Sequence, residues 1–330
     1  MSAIHQEQTH SEEEIQGILD GIAQGFGHPM RSPILKTPDD YGLAYQEVSF
    51  PSMDGVPLEA WYIPCDGSDK LIIANHPLWF NRYGFPAHLE PWKSIGASTG
   101  NDFEVDFVPD YRILHEAGYN VLTYDMRNLG HSGTGNGGIG SGGRFEARDV
   151  VGSLQYVRAC EDLKDMTIGL FSRCQGSNAT MFAMQMYPEH FEGVRCIVSP
   201  QPLSVGVTMQ RTLEMLGLPE RIAELEQKVR LIVSFPFSEM TPVEAAKSVT
   251  IPTFLYQVHD DLLTRPDDVQ AMFDNIPIED KKLVWVHGTT ARWDGYLHFQ
   301  REPKEMLDWF ATHLNVRGGV DPGRLCSTQG

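Results

Sequence analysis

Ser172-Arg173-Cys174-Gln175-Gly176 is the stretch of this sequence whose residue types and spacing are best suited to covalent chemistry. It directly follows a short apolar run, residues 167–171, and precedes a helical segment that begins near Ser177. A strand that turns this tightly into a helix forces its central residue into a strained backbone conformation, and small residues two before and two after it prevent clashes. Ser172 and Gly176 are those small residues. The turn therefore displays Cys174 at the C-terminal edge of a sheet and at a helix N-terminus, where the macrodipole favours an anion. At about 0.3–1 kcal/mol the dipole is too weak to prepare a nucleophile alone. A base or a nearby cation has to do the rest. Cys160 and Cys196 lie in contexts typical of buried structural thiols.

The elements that must position this turn are legible as a rhythm. Runs at 71–74, 121–124, 167–171, 194–198, 253–258 and 283–286 are short and largely apolar rather than alternating, as expected of strands buried on both faces. Helical candidates lie between them at 107–117, 145–159, 179–186, 266–275 and 304–314. Ahead of them, 45–50 and 58–63 are separated by Asp54-Gly55, a hairpin signal. The pattern predicts an α/β fold: a mostly parallel central sheet with an antiparallel start and helices on both faces. Residues 1–43 read as an N-terminal extension, with disorder over 1–10 and one helix opened by a Ser11-to-Glu14 capping box. Residues 44–201 and 250–316 read as the core. The segment 202–249 holds two helix-like stretches, 208–216 and 219–229, where the alternation needs one, and is expected to be a helical cap over the sheet. Residues 317–330 are expected to be a flexible tail.

Composition narrows the partners. The 330 residues carry 26 Lys plus Arg against 44 Asp plus Glu, a formal charge of −18, which disfavours nucleic acid and anionic membrane surfaces. No run of 18 apolar residues and no N-terminal signal core is present, so a soluble, cytoplasmic protein without membrane contact is expected. Five scattered cysteines without a CxxC spacing argue against disulfides and zinc. No metal and no cofactor are expected; the partner is a small-molecule substrate, and a homodimer is left open. The tract 130–143 has glycine at eight of 14 positions and contains a formal GxGxxG at 133–138. It does not immediately follow its strand, and Asp149 lies too close for a ribose-binding acid, so a dinucleotide site fails on context. A mobile loop beside the site is expected instead, with Arg144 and Arg148 on a solvated helix face.

Over roughly residues 45–315 the sequence resembles the α/β-hydrolase superfamily. Cys174 stands where the G-x-S-x-G elbow has its serine, as in the cysteine-dependent, dienelactone-hydrolase-like branch, with Ser172 replacing the first glycine. The segment 124–133 resembles the D-x-R-G-x-G-x-S landmark, with Asn128 for a glycine, and 75–79 resembles the His-Gly oxyanion loop, with Pro77 for the glycine. The resemblance implies an oxyanion hole from the backbone N–H groups of Gln175 and Leu78, since proline has none to give. Trp79, Phe80 and Tyr83 would bind substrate. The acid would be Asp261, with Asp260 its neighbour and competitor. The base is less clear: Ala291 stands at the family's histidine position, leaving His298, His287 or no histidine at all. On this resemblance the expected activity is hydrolysis or acyl transfer on an ester, lactone or thioester through a Cys174–His298–Asp261 triad and an acyl-enzyme. The alternatives are a cyclase, lyase or acyltransferase of specialised metabolism, and a catalytically silent small-molecule binder.

Overall fold

The computed structural model describes residues 11–315. The disorder expected for 1–10, the tail 317–330 and Cys326 fall outside the described residues. The strands are β1 (Gln46–Pro51), β2 (Pro57–Ile63), β3 (Lys70–Asn75), β4 (Gly84–Phe85), β5 (Val105–Asp106), β6 (Asn120–Tyr124), β7 (Thr167–Ser172), β8 (Val194–Pro200), β9 (Thr253–Val258) and β10 (Lys281–Val286). The α-helices are α1 (Glu12–Gly27), α2 (Trp92–Gly96), α3 (Val108–Glu116), α4 (Ala147–Ala159), α5 (Gln175–Met186), α6 (Val205–Met215), α7 (Ile222–Val233), α8 (Pro266–Asn275), α9 (Arg292–Tyr296), α10 (His298–Arg301) and α11 (Lys304–Leu314).

Eight strands form one sheet in the order β1-β2-β6-β3-β7-β8-β9-β10, while β4 and β5 pair separately. The β1–β2 and β2–β6 pairs are antiparallel and the rest of the sheet is parallel. The chain leaves β3 toward β6 on one side and leaves β7 toward β8 on the other. Loops departing from these adjacent strands therefore diverge, and a crevice opens at their C-terminal ends. This is where Cys174 sits. Valines and leucines of α4 and the apolar side chains of α5 cover one face of the sheet, and α3 and α11 cover the other.

A third apolar cluster joins parts far apart in the chain. Leu19, Ala23 and Phe26 of α1 pack against Leu213 of α6 and against Leu225, Val229 and Val233 of α7. The N-terminal helix and the two helices between β8 and β9 thus share one core, a pairing that local sequence periodicity carries no signal for.

The glycine tract is packed rather than loose, because its glycines serve close approaches. A Cβ on Gly143, at φ 117°, would lie 2.8 Å from the Cβ of Asn178. Arg144 and Arg148, expected on a solvated face, are instead largely covered. The Arg144 guanidinium lies 4.7 Å from the Phe235 ring centroid, and Arg148 pairs with Asp54 at 2.8 Å.

Arg127 ties this region together. Its guanidinium donates to buried Asp149 at 2.8 Å and to Asp54 of the β1–β2 turn at 2.6 Å. Removing one member of such a buried pair leaves the other charge uncompensated. Arg127→Met is accordingly expected to lower unfolding stability by about 3–5 kcal/mol, read from the midpoint of urea denaturation at unchanged slope.

Candidate active site

Cys174 adopts φ 51° and ψ −111°, a conformation rare for any residue with a side chain. Such a conformation costs of order 1–3 kcal/mol and persists only where the surroundings over-determine it. Here they do. The Cys174 N–H donates to the carbonyl of Pro200 at the end of β8, and the Arg173 N–H to that of Asn75 at the end of β3, each at 2.9 Å. A Cβ on Gly176 would stand 2.7 Å from the Cβ of Asn75 and 2.9 Å from its carbonyl oxygen, so only glycine fits. Ser172 replaces the usual glycine without strain, because its hydroxyl accepts from the Asn75 amide at 2.7 Å and from Thr180 at 2.9 Å. Arg173 lies between the rings of Phe107 and Phe171 and is ion-paired with Asp110. Burial pushes the Asp110 carboxyl above its ordinary range in spite of that cation.

The loop after β3 is fixed by His76. Its Nε2 accepts from the Met126 N–H at 2.9 Å, so the ring proton is on Nδ1 and is donated to the Pro77 carbonyl at 2.7 Å. Burial lowers the His76 pKa and keeps the ring neutral. A trans peptide directs its N–H opposite to its C=O, so anchoring the Pro77 oxygen also sets the direction of the Leu78 N–H. Trp79 follows in a left-handed conformation, φ 69°. Gln175 is the first residue of α5, so no carbonyl of its own helix can take its N–H.

Asp261 is buried at 4 % exposure, whereas Asp260 lies on the surface beside His259. The Asp261 carboxylate does not meet a histidine. It accepts from Arg292 at 2.7 Å, Thr264 at 2.8 Å and Gln257 at 3.2 Å through one oxygen, and from the Leu263 N–H at 2.9 Å through the other. Arg292 Nε donates to the Tyr296 hydroxyl at 3.0 Å, and Nη2 to the carbonyl of Gln201. The Tyr296 side chain lies close enough to Cys174 for each group to act electrostatically on the other. Arginine can only donate, so the phenolic proton is not engaged by Arg292. Burial and then the adjacent sulfur push Tyr296 well above its ordinary range. Burial opposes the charge on Arg292, but Tyr296, Cys174 and Asp261 together more than offset it.

Three of the expected residues do not line the cavity at Cys174. His298 opens α10 with its ring against Tyr256, centroids 5.4 Å apart, and is not among the residues lining the cavity at Cys174. The reason is local. After β10 a five-residue loop leads into the short helix α9, which brings Arg292 and, one turn on, Tyr296 to the cavity at Cys174. His287 stands at the end of β10, exposed, with its ring 4.9 Å from that of His259 on neighbouring β9. Tyr83 is fully buried with its hydroxyl on Glu104, because a buried phenol needs a partner, and it does not line the cavity. Trp79 and Phe80 do. Gln201, Arg292 and Tyr296 were missed by reasoning on sequence. The one available signal was the i, i+4 spacing of Arg292 and Tyr296, which puts both on one helix face.

Cys174 opens onto a cavity of ≈ 560 Å³. Its walls combine the loop after β3, the start of α5, α6, α9 and, unexpectedly, α1. Away from this cavity, His259, Asp260 and His287 place ring nitrogens and a carboxylate oxygen within 4.8 Å of one another, the one such group among the described residues. Among the described residues no helix is long and apolar enough to cross a membrane.

No protein-family model and no curated protein matches the chain. Solved structures do. An esterase of Pyrococcus furiosus superposes with a TM-score of 0.62 at 22% identity, over 87% of this chain and 98% of that one. An α/β hydrolase, GrgF, from Penicillium sp. sh18 does so at 0.55 and 16% identity, over 83% and 100%. A dienelactone hydrolase from Anabaena variabilis gives 0.53 and 16%, over 82% and 99%. The chain therefore has the α/β-hydrolase fold.

Because the elbow leaves no room for a methyl group beside Asn75, Gly176→Ala is expected to cost roughly 1–3 kcal/mol by overpacking, read by urea denaturation. Alkylation of Cys174 by iodoacetamide should change rate in the same variant, since the turn that presents the sulfur must shift.

Proposed function

We propose that the protein is a cofactor-independent acyl-transfer enzyme in which Cys174 attacks the carbonyl of an ester, lactone or thioester. The observation that carries this reading is the sulfur held at a strained elbow, facing a cavity that the Tyr296 phenol and the Arg292 guanidinium also line. Sulfur adds to the carbonyl carbon, and the resulting oxyanion is received by the N–H groups of Gln175 and Leu78. Donors of this kind typically contribute ~3 kcal/mol to acyl-transfer transition states. The carbon–oxygen or carbon–sulfur bond to the leaving group then breaks. The proton lost by the thiol departs with that group through the Tyr296 hydroxyl, which gives up its own proton as it gains the other.

In this reading Tyr296 and Arg292 take the part expected of His298. Negative charge that develops on sulfur meets a hydrogen-bond donor backed by a permanent cation, and Asp261 with Gln201 holds that cation in place. An ordinary thiol already supplies a few per cent thiolate at neutral pH, so a strong base is less necessary than for a serine.

The second step separates two fates. Water is a poor nucleophile without a base, and the titratable side chain beside Cys174 in the cavity is a phenol held above its ordinary range. That favours passage of the acyl group to an alcohol, amine or carbon nucleophile, or closure on the substrate itself, over hydrolysis. Turnover in isotopically labelled water distinguishes them, because only hydrolysis places solvent oxygen in the product acid.

Incubation with p-nitrophenyl acetate should add one acetyl group to the intact mass of the wild type and none to Cys174→Ala. Tyr296→Phe should slow acylation about 10²-fold, while His298→Ala should leave it unchanged. Equal labelling of wild type and Cys174→Ala would remove the nucleophile, and a loss confined to His298→Ala would return the role to the histidine.

A further inference from the structure

We infer that the substrate carries a long, unbranched apolar acyl chain, and that the glycine face of α1 is the wall along which this chain lies. The inference deepens the acyl-transfer reading and rests on it.

Most of the cavity lining is apolar. Cys174, Gln175, Arg292 and Tyr296 gather at the sheet edge, and the walls beyond them are mainly aliphatic and aromatic, with Thr99, Asn101, Thr208 and Thr212 among the polar exceptions. Among these walls is α1, which presents Gly17, Gly21 and Gly25 to the cavity at successive i, i+4 positions. Glycine is the least favourable non-proline residue in a helix interior, so three on one face call for a reason. Close packing is not that reason: the three lie exposed at the open side of the cavity, and a Cβ at any of them would meet nothing within 4 Å. Gly27 at the end of the same helix is the contrast, since a Cβ there would strike Ile232. Nor do these three glycines have a left-handed backbone. What they do is lay the helix backbone open to the cavity over about 12 Å of axis, eight residues at 1.5 Å each. A track of that length matches an extended chain of many methylenes and is far longer than an acetyl group.

One further observation points to a ligand in this space. Met30, Ile95 and Met215 line the cavity while remaining 43%, 46% and 40% exposed. An apolar rim of this kind admits an apolar chain and offers little to a charged one.

The test compares p-nitrophenyl octanoate with p-nitrophenyl acetate, following nitrophenolate release and the intact-mass adduct on Cys174. Wild type should acylate at least tenfold faster with octanoate. Gly21→Leu fills the middle of the track with a better helix former, so its melting temperature should not fall, and the octanoate-to-acetate ratio should drop at least tenfold. Gly17→Leu provides a second variant should the first fail to fold. Equal or faster reaction of acetate in the wild type overturns the inference, as does an unchanged ratio in the folded variants; in both cases Cys174 is still acylated. Absence of any adduct from either ester overturns the proposed function instead.

Discussion

The backbone of one residue, Cys174, is the constraint on which the rest of the molecule is arranged. A conformation that costs of order 1–3 kcal/mol is held by hydrogen bonds to the ends of two different strands, β3 and β8, on either side of β7. Each such bond contributes about 1 kcal/mol net, so the turn is stable only while all three parallel strands are in register. The reactive geometry is thus a property of the sheet, and the divergence of the loops after β3 and β7 supplies the space in front of it. Glycine at 176 and a hydroxyl at 172 are the local concessions that let the chain turn there.

The second organising feature is the buried cation opposite the sulfur. Arg292 spends its donors on Tyr296, Asp261 and Gln201, and the carboxylate of Asp261 is saturated by four donors. A buried charge pair is tolerated when its remaining valences are satisfied in this way. The consequence is a site with a fixed positive charge and a phenol where a titrating imidazole was expected. In the proposed reading, such a site stabilises developing charge but offers water no strong base. This is the physical basis for favouring transfer over hydrolysis.

The third feature is the way distant segments share the cavity. α1, from the start of the chain, joins α6 and α7 in one apolar cluster and then turns its glycine face to the reactive end. The α1 wall combines backbone at Gly17, Gly21 and Gly25 with the apolar side chains of Ile18, Ile22 and Phe26, so it offers a ligand no free polar group.

The sequence by itself determined the parts that depend on local pattern. Largely apolar runs specify strands, Asp54-Gly55 a hairpin, and the spacing of small residues around Cys174 a sharp strand-to-helix turn; the structure contains each of these, although β10 at the sheet edge is only half-buried. These features follow from periodicity and from backbone sterics within a few residues, which is why they are legible without coordinates. What only the tertiary structure decided is which distant groups meet. His298 resembles a catalytic ending in its immediate neighbours, yet α9 closes ahead of it and places Arg292 against Asp261, 31 residues away in the chain. Tyr83 shares its segment with Trp79 and Phe80 but turns to Glu104, because a buried hydroxyl goes where its partner is. The meeting of α1 with the cavity has no local signature either, since it depends on packing against helices some two hundred residues further along. Long-range contacts are settled by the sum of burial and hydrogen-bond satisfaction over the whole chain, and no window of sequence contains that sum.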